Sequence, residues 1–241
     1  DLQFYLTAET PCPYLDGQHE RKLFTHLSGR RATDLHDMLS LHGFRRSQNI
    51  AYRPACEGCN QCKSARVIVD RFDMKASQRR IWRKNADMES VEMPPKATQE
   101  QYELFRRYLK ARHRDGGMAD MTHLDYEMMV EDSPVDTLLI EYRQLTDIHE
   151  TNGKLVGVTL ADLLPDGISM VYSFFEPELE KRSLGQFMIL DQIKRSRRYG
   201  LPYLYLGYWV KNSPKMAYKS AYRPLEILDE REQWRVLNAN S

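Results

Sequence analysis

Long hydrophobic runs are missing from this 241-residue chain. No stretch approaches the ~20 consecutive apolar residues that cross a bilayer as a helix, so a helical membrane protein is excluded. The first ten residues, DLQFYLTAET, have neither a basic n-region nor an apolar core, and no signal peptide is expected in them. Cysteine is scarce: four in a chain of this length do not make a disulfide scaffold, and a reduced, cytoplasmic protein is the expectation. An excess of either charge is lacking as well. The formal net charge of +1 gives by itself no sign of a polyanionic partner.

The charges are nevertheless segregated. Residues 1–84 carry 15 Lys and Arg against 9 Asp and Glu, residues 85–180 carry 8 against 20, and residues 181–241 carry 12 against 5. Two basic segments flank an acidic one. If the two ends fold together they form a basic face for a polyanion; if the blocks interleave they cancel.

Periodicity divides the chain into elements. RATDLHDMLSLHGF reads as a short helix with Leu35, Met38, Leu39 and Leu41 inward, Thr33 or Asp34 as cap and Gly43 at its end. ARVIVDRF reads as a buried strand, and KASQRRIWRKNADM as a basic helix. Pro94–Pro95 marks a boundary, which predicts domains at 1–93 and 94–241. TQEQYELFRRYLKARH and HLDYEMMVED are helices. VDTLLIEYRQ, GKLVGVTLADLL and GISMVYSFFEP are three successive strands, turning at Asn152–Gly153 and Asp166–Gly167. SLGQFMILDQIKRSRRYG is an amphipathic helix, LPYLYLGYWV a strand, SPKMAYKSAY a helix, and RPLEILD and QWRVL short closing strands. This order follows the plan of the N-acetyltransferase (GNAT) superfamily, in which a mostly antiparallel sheet splays open to admit an acyl donor. An α+β fold with two such units is expected, the second much the clearer. The turn before the long helix, EKRSLGQ, has a single glycine, poor as a pyrophosphate cradle, which argues against coenzyme A as the donor.

Six segments together, CPYL, YRPACEGCNQCKSARV, YSFFEP, RSLGQFMILDQI, GLPYLYLGYWV and KMAYKSAYRPLEIL, resemble the aminoacyl-tRNA–protein transferases, the arginyltransferase family, in its bacterial aspartate/glutamate leucyltransferase form. The resemblance covers nearly the whole chain. It implies that leucine moves from leucyl-tRNA to the α-amine of proteins beginning with Asp or Glu, marking them for degradation in the N-degron pathway. An arginyl-tRNA donor with the same acceptors is the alternative. A non-catalytic, metal-containing RNA-binding module is an alternative of another class.

The chemistry fits such a transfer. An aminoacyl ester is already activated, so neither ATP nor another cofactor is required, and no Walker A loop appears. The enzyme must orient the amine, accept its proton and stabilise an oxyanion. Tyr172, Glu176 and Tyr208 are the catalytic candidates, although aromatic residues at alternate strand positions also build cores. An acidic acceptor side chain calls for a guanidinium fork, and Arg46, Arg53 and Arg66, around the cysteine segment, are the candidates. Arg79, Arg80, Lys194, Arg195, Arg197 and Arg198 are candidates for tRNA phosphates, and Lys215 and Lys219 for the terminal adenosine or its phosphate. Cys56, Cys59 and Cys62 recur every third residue, and Cys12 brings the thiols to four, the count for tetrahedral zinc or an iron–sulfur cluster. Eukaryotic members carry CxxC near the start; here Leu15 stands at the second position and leaves Cys12 alone. Reduced thiols packed beside the acceptor pocket are the other reading.

Overall fold

The structure, a computed structural model, describes residues 2–112, 120–145 and 153–238. The N-terminal part contains β1 (Tyr5–Leu6), β2 (Thr10–Pro11), β3 (His19–Glu20), β4 (Lys22–His26), α1 (Ala32–Leu41), β5 (Arg45–Ser47) and β6 (Ile50–Pro54). Next come β7 (Lys63–Ile68), α2 (Ala76–Lys84), β8 (Met88–Met93), α3 (Gln99–Arg112) and α4 (His123–Glu131). The remainder comprises β9 (Thr137–Gln144), β10 (Lys154–Leu164), β11 (Gly167–Phe175), α5 (Leu184–Arg198), β12 (Tyr203–Trp209), α6 (Pro214–Ala217), β13 (Leu225–Leu228) and β14 (Trp234–Val236).

Eight strands form one sheet in the order β14-β13-β7-β12-β11-β10-β9-β8. Every neighbouring pair is antiparallel except β11–β12. The fold is therefore α+β with a mixed, mostly antiparallel sheet. Along β9 the pleat sends Leu138, Ile140 and Tyr142 to one face and Leu139 to the other, as the two-residue period requires. The first face packs on α5 through Phe187, Leu190 and Ile193, with Trp82 of α2 beside them. The second packs on α3 and α4 through Leu104, Phe105 and Tyr126.

A smaller antiparallel sheet, β1-β4-β6-β5, carries α1 on a core of Leu27, Ala32, Leu39, Phe44 and Ala51. Here α1 is rotated from the expected orientation. Met38 and Leu41 are exposed, while His36 and Ser40 face inward. The helix starts after Arg31 without a side-chain cap, so neither Thr33 nor Asp34 serves as one. Gly43 does follow its end, with a positive φ.

The large sheet crosses the boundary expected at residue 93. Both β7 and β8 precede Pro94–Pro95, and β7 lies inside the sheet between β13 and β12. The expected strand over ARVIVDRF stops at Ile68, and Val69–Arg71 turn as a 3₁₀ segment. The three central strands fall where the sequence places them. The Asn152 side of the first hairpin turn lies outside the described residues.

One buried ion pair fastens the small sheet to the large one. Arg46 of β5 donates to both carboxylate oxygens of Asp162 in β10, Nε at 2.8 Å and Nη2 at 2.6 Å. His36 Nε2 lies 3.4 Å from the same carboxylate. Burial holds His36 below the usual imidazole range, against the pull of Asp162. Arg46 is thus committed to a structural carboxylate and is not an acceptor-binding residue. Removing one partner leaves a buried charge uncompensated, so Arg46→Met should lower unfolding free energy by about 3–5 kcal/mol. Arg46→Met combined with Asp162→Leu should recover most of that loss, and chemical denaturation of the four variants in the cycle measures both effects.

Candidate active site

The large sheet opens between its two parallel strands. β11 and β12 pair only over Gly167–Ser169 and Tyr203–Tyr205. Beyond that point each strand carries an irregularity. On β11, Leu160 of β10 faces Tyr172 and Ala161 faces Met170, so Val171 is an extra residue. On β12, Tyr205 faces Arg66 and Gly207 faces Ala65, so Leu206 is extra. Such bulges bend a strand and sharpen its twist. Two of them at the same level take the strands apart, and the carbonyls of Met170 and Val171 lose their place in a ladder.

A side chain from the small sheet fills the apex of this gap. Arg45 Nη2 donates to Met170 O at 2.7 Å, and Val171 O lies 3.5 Å away. Across the gap the guanidinium lies against Gly207, where φ is +80° and a Cβ would overlap it. The Tyr208 ring centroid is 5.8 Å from Arg45 Cζ. Among the described residues no carboxylate pairs with Arg45 within 4.0 Å.

Lys219 stands behind Tyr208. It is 4% exposed, and Nζ donates to the Tyr208 carbonyl and meets Met216 Sδ at 3.6 Å. Burial, reinforced by the charge of Arg45 and opposed by Cys62, lowers its pKa to about 7. A lysine in that range is a proton acceptor at neutral pH, not a phosphate-facing surface cation. The charge of Arg45 also reaches Tyr14 and Tyr218. Tyr14 is pushed up to about 12, chiefly by burial. Burial raises Tyr218 too.

The residues predicted from sequence divide clearly. Arg53 is paired with Glu232 at 3.0 Å and covers the Phe44 ring. Arg66 is buried, bonded to Glu226 at 2.7 Å and stacked between Tyr203 and Trp234. Arg66 is thus committed within the fold, whereas the Arg53 pair lies at the surface. Glu176 is 2% exposed and paired with Arg107 at 2.9 Å, fixing α3 to the end of β11. Tyr208 is buried; its hydroxyl donates to Gly43 O at 2.9 Å and ties β12 to the small sheet. Tyr172 packs against Phe105 on the α3 face, and burial raises its pKa. These three are structural in their contacts.

Of the cations predicted for tRNA, Arg79, Arg80, Lys194, Arg197, Arg198 and Lys215 are exposed. Arg197 also donates to Val69 O and Phe72 O. Arg195 is buried against Ser90, Glu92 and Asp191, and so does not face RNA. The two basic chain ends do meet: Trp82 of α2 stacks on Phe187 of α5, with ring centroids 5.1 Å apart. Lys194 Nζ sits 4.0 Å above the Trp82 ring. A groove of about 580 Å³ runs between these helices, lined by Trp82, Phe187, Lys194, Arg197 and Arg198.

Cys12, Cys56, Cys59 and Cys62 line one small pocket of about 50 Å³ with Tyr14, Tyr52 and Tyr208. Burial and the three neighbouring thiols push Cys62 up to about 12. Donor number and type suit zinc or an iron–sulfur cluster. Among the described residues, however, no three His, Cys, Asp or Glu side chains converge closely enough to hold a metal ion. As folded, the pocket is a thiol cluster and not a preformed metal cage.

Sequence reasoning missed Arg45, and it did not foresee that Lys219 is buried. Arg45 and Arg46 are adjacent in a strand, so they point to opposite faces. One signal was present: the isolated glycine in YLYLGYW marks a bulge and a close approach by another group.

A mixed sheet opened between parallel strands, with a helix crossing from one to the other, is the architecture of an acyltransferase fold. The chain belongs to the arginine-tRNA-protein transferase family: the model of its N terminus matches residues 10–80 and that of its C terminus residues 100–229. It is an aminoacyl-tRNA–protein transferase. It is 60% identical over 230 residues to an aspartate/glutamate leucyltransferase of Methylobacterium sp. (strain 4-46), covering 94% of this chain and 93% of that one. It is 55% identical to that of Afipia carboxidovorans, with 97% and 93% covered. Among solved structures, L-PGS from Bacillus licheniformis superposes with a TM-score of 0.47 at 13% identity, covering 78% of this chain and 54% of that one. FemX superposes with a TM-score of 0.45 at 10% identity, covering 77% and 62%.

A side chain at position 207 would both adopt a left-handed backbone and displace Arg45. Gly207→Ala should therefore cost at least the ~1–2 kcal/mol of the left-handed conformation, read by denaturation, and transfer activity should fall with it.

Proposed function

We propose that this chain transfers leucine from the 3′ end of leucyl-tRNA to the α-amine of proteins whose first residue is Asp or Glu, in the cytoplasm, creating an N-terminal leucine that marks them for degradation. The observation that carries the reading is the opening between β11 and β12, with a guanidinium at its apex that no described carboxylate pairs and a lysine of depressed pKa behind it. The side chain of an acidic first residue needs the one, and its amine needs the other. The family's own description names arginine, whereas the relatives' names specify aspartate and glutamate as acceptors and leucine as the transferred residue.

In this reading the charged RNA end enters the gap and the free edge of β11 offers backbone groups to it. The acceptor amine, with an ordinary pKa of about 8, is partly neutral at cellular pH. Its nitrogen attacks the ester carbonyl carbon. Lys219 takes the amine proton and returns it to the 3′-oxygen as the C–O bond breaks, leaving a peptide bond and a free RNA hydroxyl. The ester supplies the driving force, and no step passes through a metal or another cofactor. Should the four thiols take up zinc or a cluster, that group would tie the β2–β3 hairpin to the loop of Cys56 to Cys62.

The tRNA body lies along the basic groove. α5 has 15 residues and so is roughly 22 Å long. Its first turn abuts Phe175 at the end of β11, and its last turn carries Arg197 and Arg198. It thus links the gap to the groove. Lys194→Gln with Arg198→Gln should raise KM for leucyl-tRNA and leave KM for an Asp-peptide unchanged. The salt slope of RNA binding should fall by about one for each phosphate no longer neutralised.

Lys219→Met should lower kcat by about 10²–10⁴-fold, the usual worth of a positioned base. In the native enzyme kcat should rise with pH to a plateau above about 7, and that limb should vanish in the variant. The same substitution should stabilise the fold. The lysine binds fewer protons folded than unfolded between about 7 and its ordinary value of 10.5, so its burial penalty is full below pH 7 and fades as pH rises. Lys219→Met should accordingly raise Tm at pH 6 and have little effect near pH 10.5. Donor identity is tested by offering an Asp-peptide with tRNA charged with labelled leucine or labelled arginine; label from leucine alone is expected, and label from arginine alone overturns the leucyl reading.

A further inference from the structure

We infer that Arg45 is the residue that reads the acidic side chain of the acceptor, and so sets the enzyme's choice of Asp and Glu. The inference rests on the transfer reaction proposed above. Three arginines near the small sheet already hold a carboxylate: Arg46 holds Asp162, Arg53 holds Glu232, and Arg66 holds Glu226. Arg45 directs Nη2 to backbone carbonyls, and among the described residues nothing accepts from its Nε or Nη1. Both bidentate edges of a guanidinium include Nη2, which has two hydrogens; with one directed to Met170 O, the other leaves a single edge for a bidentate partner.

The surrounding charge requires an anion. Arg45 is partly shielded from water by Tyr208 and by the two bulged strands. Its charge acts on Tyr14, Tyr208 and Tyr218, all with raised pKa values and therefore neutral, and on Lys219, whose pKa it lowers; Glu20 acts on Tyr14 and Cys62 and pairs with Lys22, not with Arg45. Cys62, also within reach of Lys219, is a neutral thiol. A guanidinium set among neutral hydroxyls, with no described carboxylate paired to it, is compensated when a carboxylate arrives.

Placement selects the acceptor over the RNA as the source of that anion. Asp162, which anchors the small sheet, alternates with Ala161, whose side chain belongs to the cluster packed on α5. The small sheet and Arg45 therefore approach from the α3 side of the large sheet. The basic groove of Lys194 and Arg198 lies with α5 on the other side. Two reactants that meet in the gap enter from opposite faces, and Arg45 stands on the face away from the phosphates. Gly207 is the complementary feature, because only its missing side chain lets the guanidinium reach the apex.

The test compares peptides beginning with Asp or Glu against the neutral amides Asn and Gln, using the full chain and leucyl-tRNA. Native enzyme should prefer Asp over Asn by about 10³-fold or more in kcat/KM, since an unmatched buried guanidinium is heavily penalised. Arg45→Gln should lower kcat/KM for Asp and Glu peptides at least ~100-fold, change that for Asn peptides less than about 3-fold, and leave KM for leucyl-tRNA unaltered. Arg45→Lys, which keeps the charge and loses the fork, should fall between, and it decides the matter if Arg45→Gln does not fold. Equal losses on acid and amide peptides, or a raised KM for leucyl-tRNA with the acid preference intact, would overturn the assignment and place Arg45 in scaffold or RNA binding. If native enzyme labels no Asp or Glu peptide from leucyl- or arginyl-tRNA, the transfer reading itself fails; an unchanged acid preference in an active Arg45→Gln variant defeats the Arg45 assignment alone.

Discussion

The structure depends on the failure of two adjacent parallel strands to stay hydrogen-bonded. Val171 on β11 and Leu206 on β12 are each one residue too many for their outer ladders. Extra residues at one level on both sides of a junction cannot be absorbed by sliding the register, because each strand is pinned on its far side: β11 by β10 and β12 by β7. The junction opens instead. Opening creates the two things that a transferase between macromolecules needs, a free strand edge for one substrate and a passage through the sheet to the other.

An opened sheet leaves backbone groups unpaired, and the way these are satisfied separates scaffold from site. Away from the gap, charges are matched within the protein. Arg66 is sandwiched by Tyr203 and Trp234 and bonded to Glu226. At the β8–β9 edge, Asp191 of α5 accepts from Tyr142 at 2.9 Å and from Ser90 at 3.1 Å, and Arg195 adds its charge to the same network. These groups hold the helix to the sheet. Arg45 and Lys219 are matched only by backbone oxygens and, for Lys219, a thioether sulfur. Their stabilisation is incomplete in the free protein, and a carboxylate or a proton in transit completes it. Arg46 and Arg66, with their carboxylate partners, belong to the frame, and Arg45, for which no described carboxylate is a partner, marks the opening.

Much of this is legible in the sequence. The three central strands stand out as apolar runs between turn signals, and the Asp166–Gly167 turn fixes the antiparallel pairing of the last two. The basic segments at the two ends, far apart in sequence, meet through Trp82 and Phe187, one of the two arrangements that the charge pattern left open. The side chains of the site are harder to read. Sequence cannot separate Arg45 from Arg46, because residue type carries no information on facing in a strand of three residues, and the deciding partner, Asp162, lies 116 positions away. Lys219 looks like a surface cation in KMAYKSAY. Its burial comes from Tyr208 and Met216 closing over it, and that is a property of packing, not of the local pattern. The domain boundary falls elsewhere than Pro94–Pro95 suggests because the prolines are a local break in the chain, whereas β7 joins the large sheet through partners far along the sequence, Tyr203–Trp209 and Leu225–Ile227.

The central claim is that chemistry takes place in the opening between β11 and β12. A crystal structure with the stable amide analogue, 3′-leucylamino-3′-deoxyadenosine, bound to the chain tests it directly. The leucyl carbonyl should lie in the gap, between Val171–Phe175 on one side and Leu206–Trp209 on the other, with Lys219 behind it. An analogue bound with its amide in the groove of Trp82 and Lys194, and a gap that stays empty at saturation, would contradict the account.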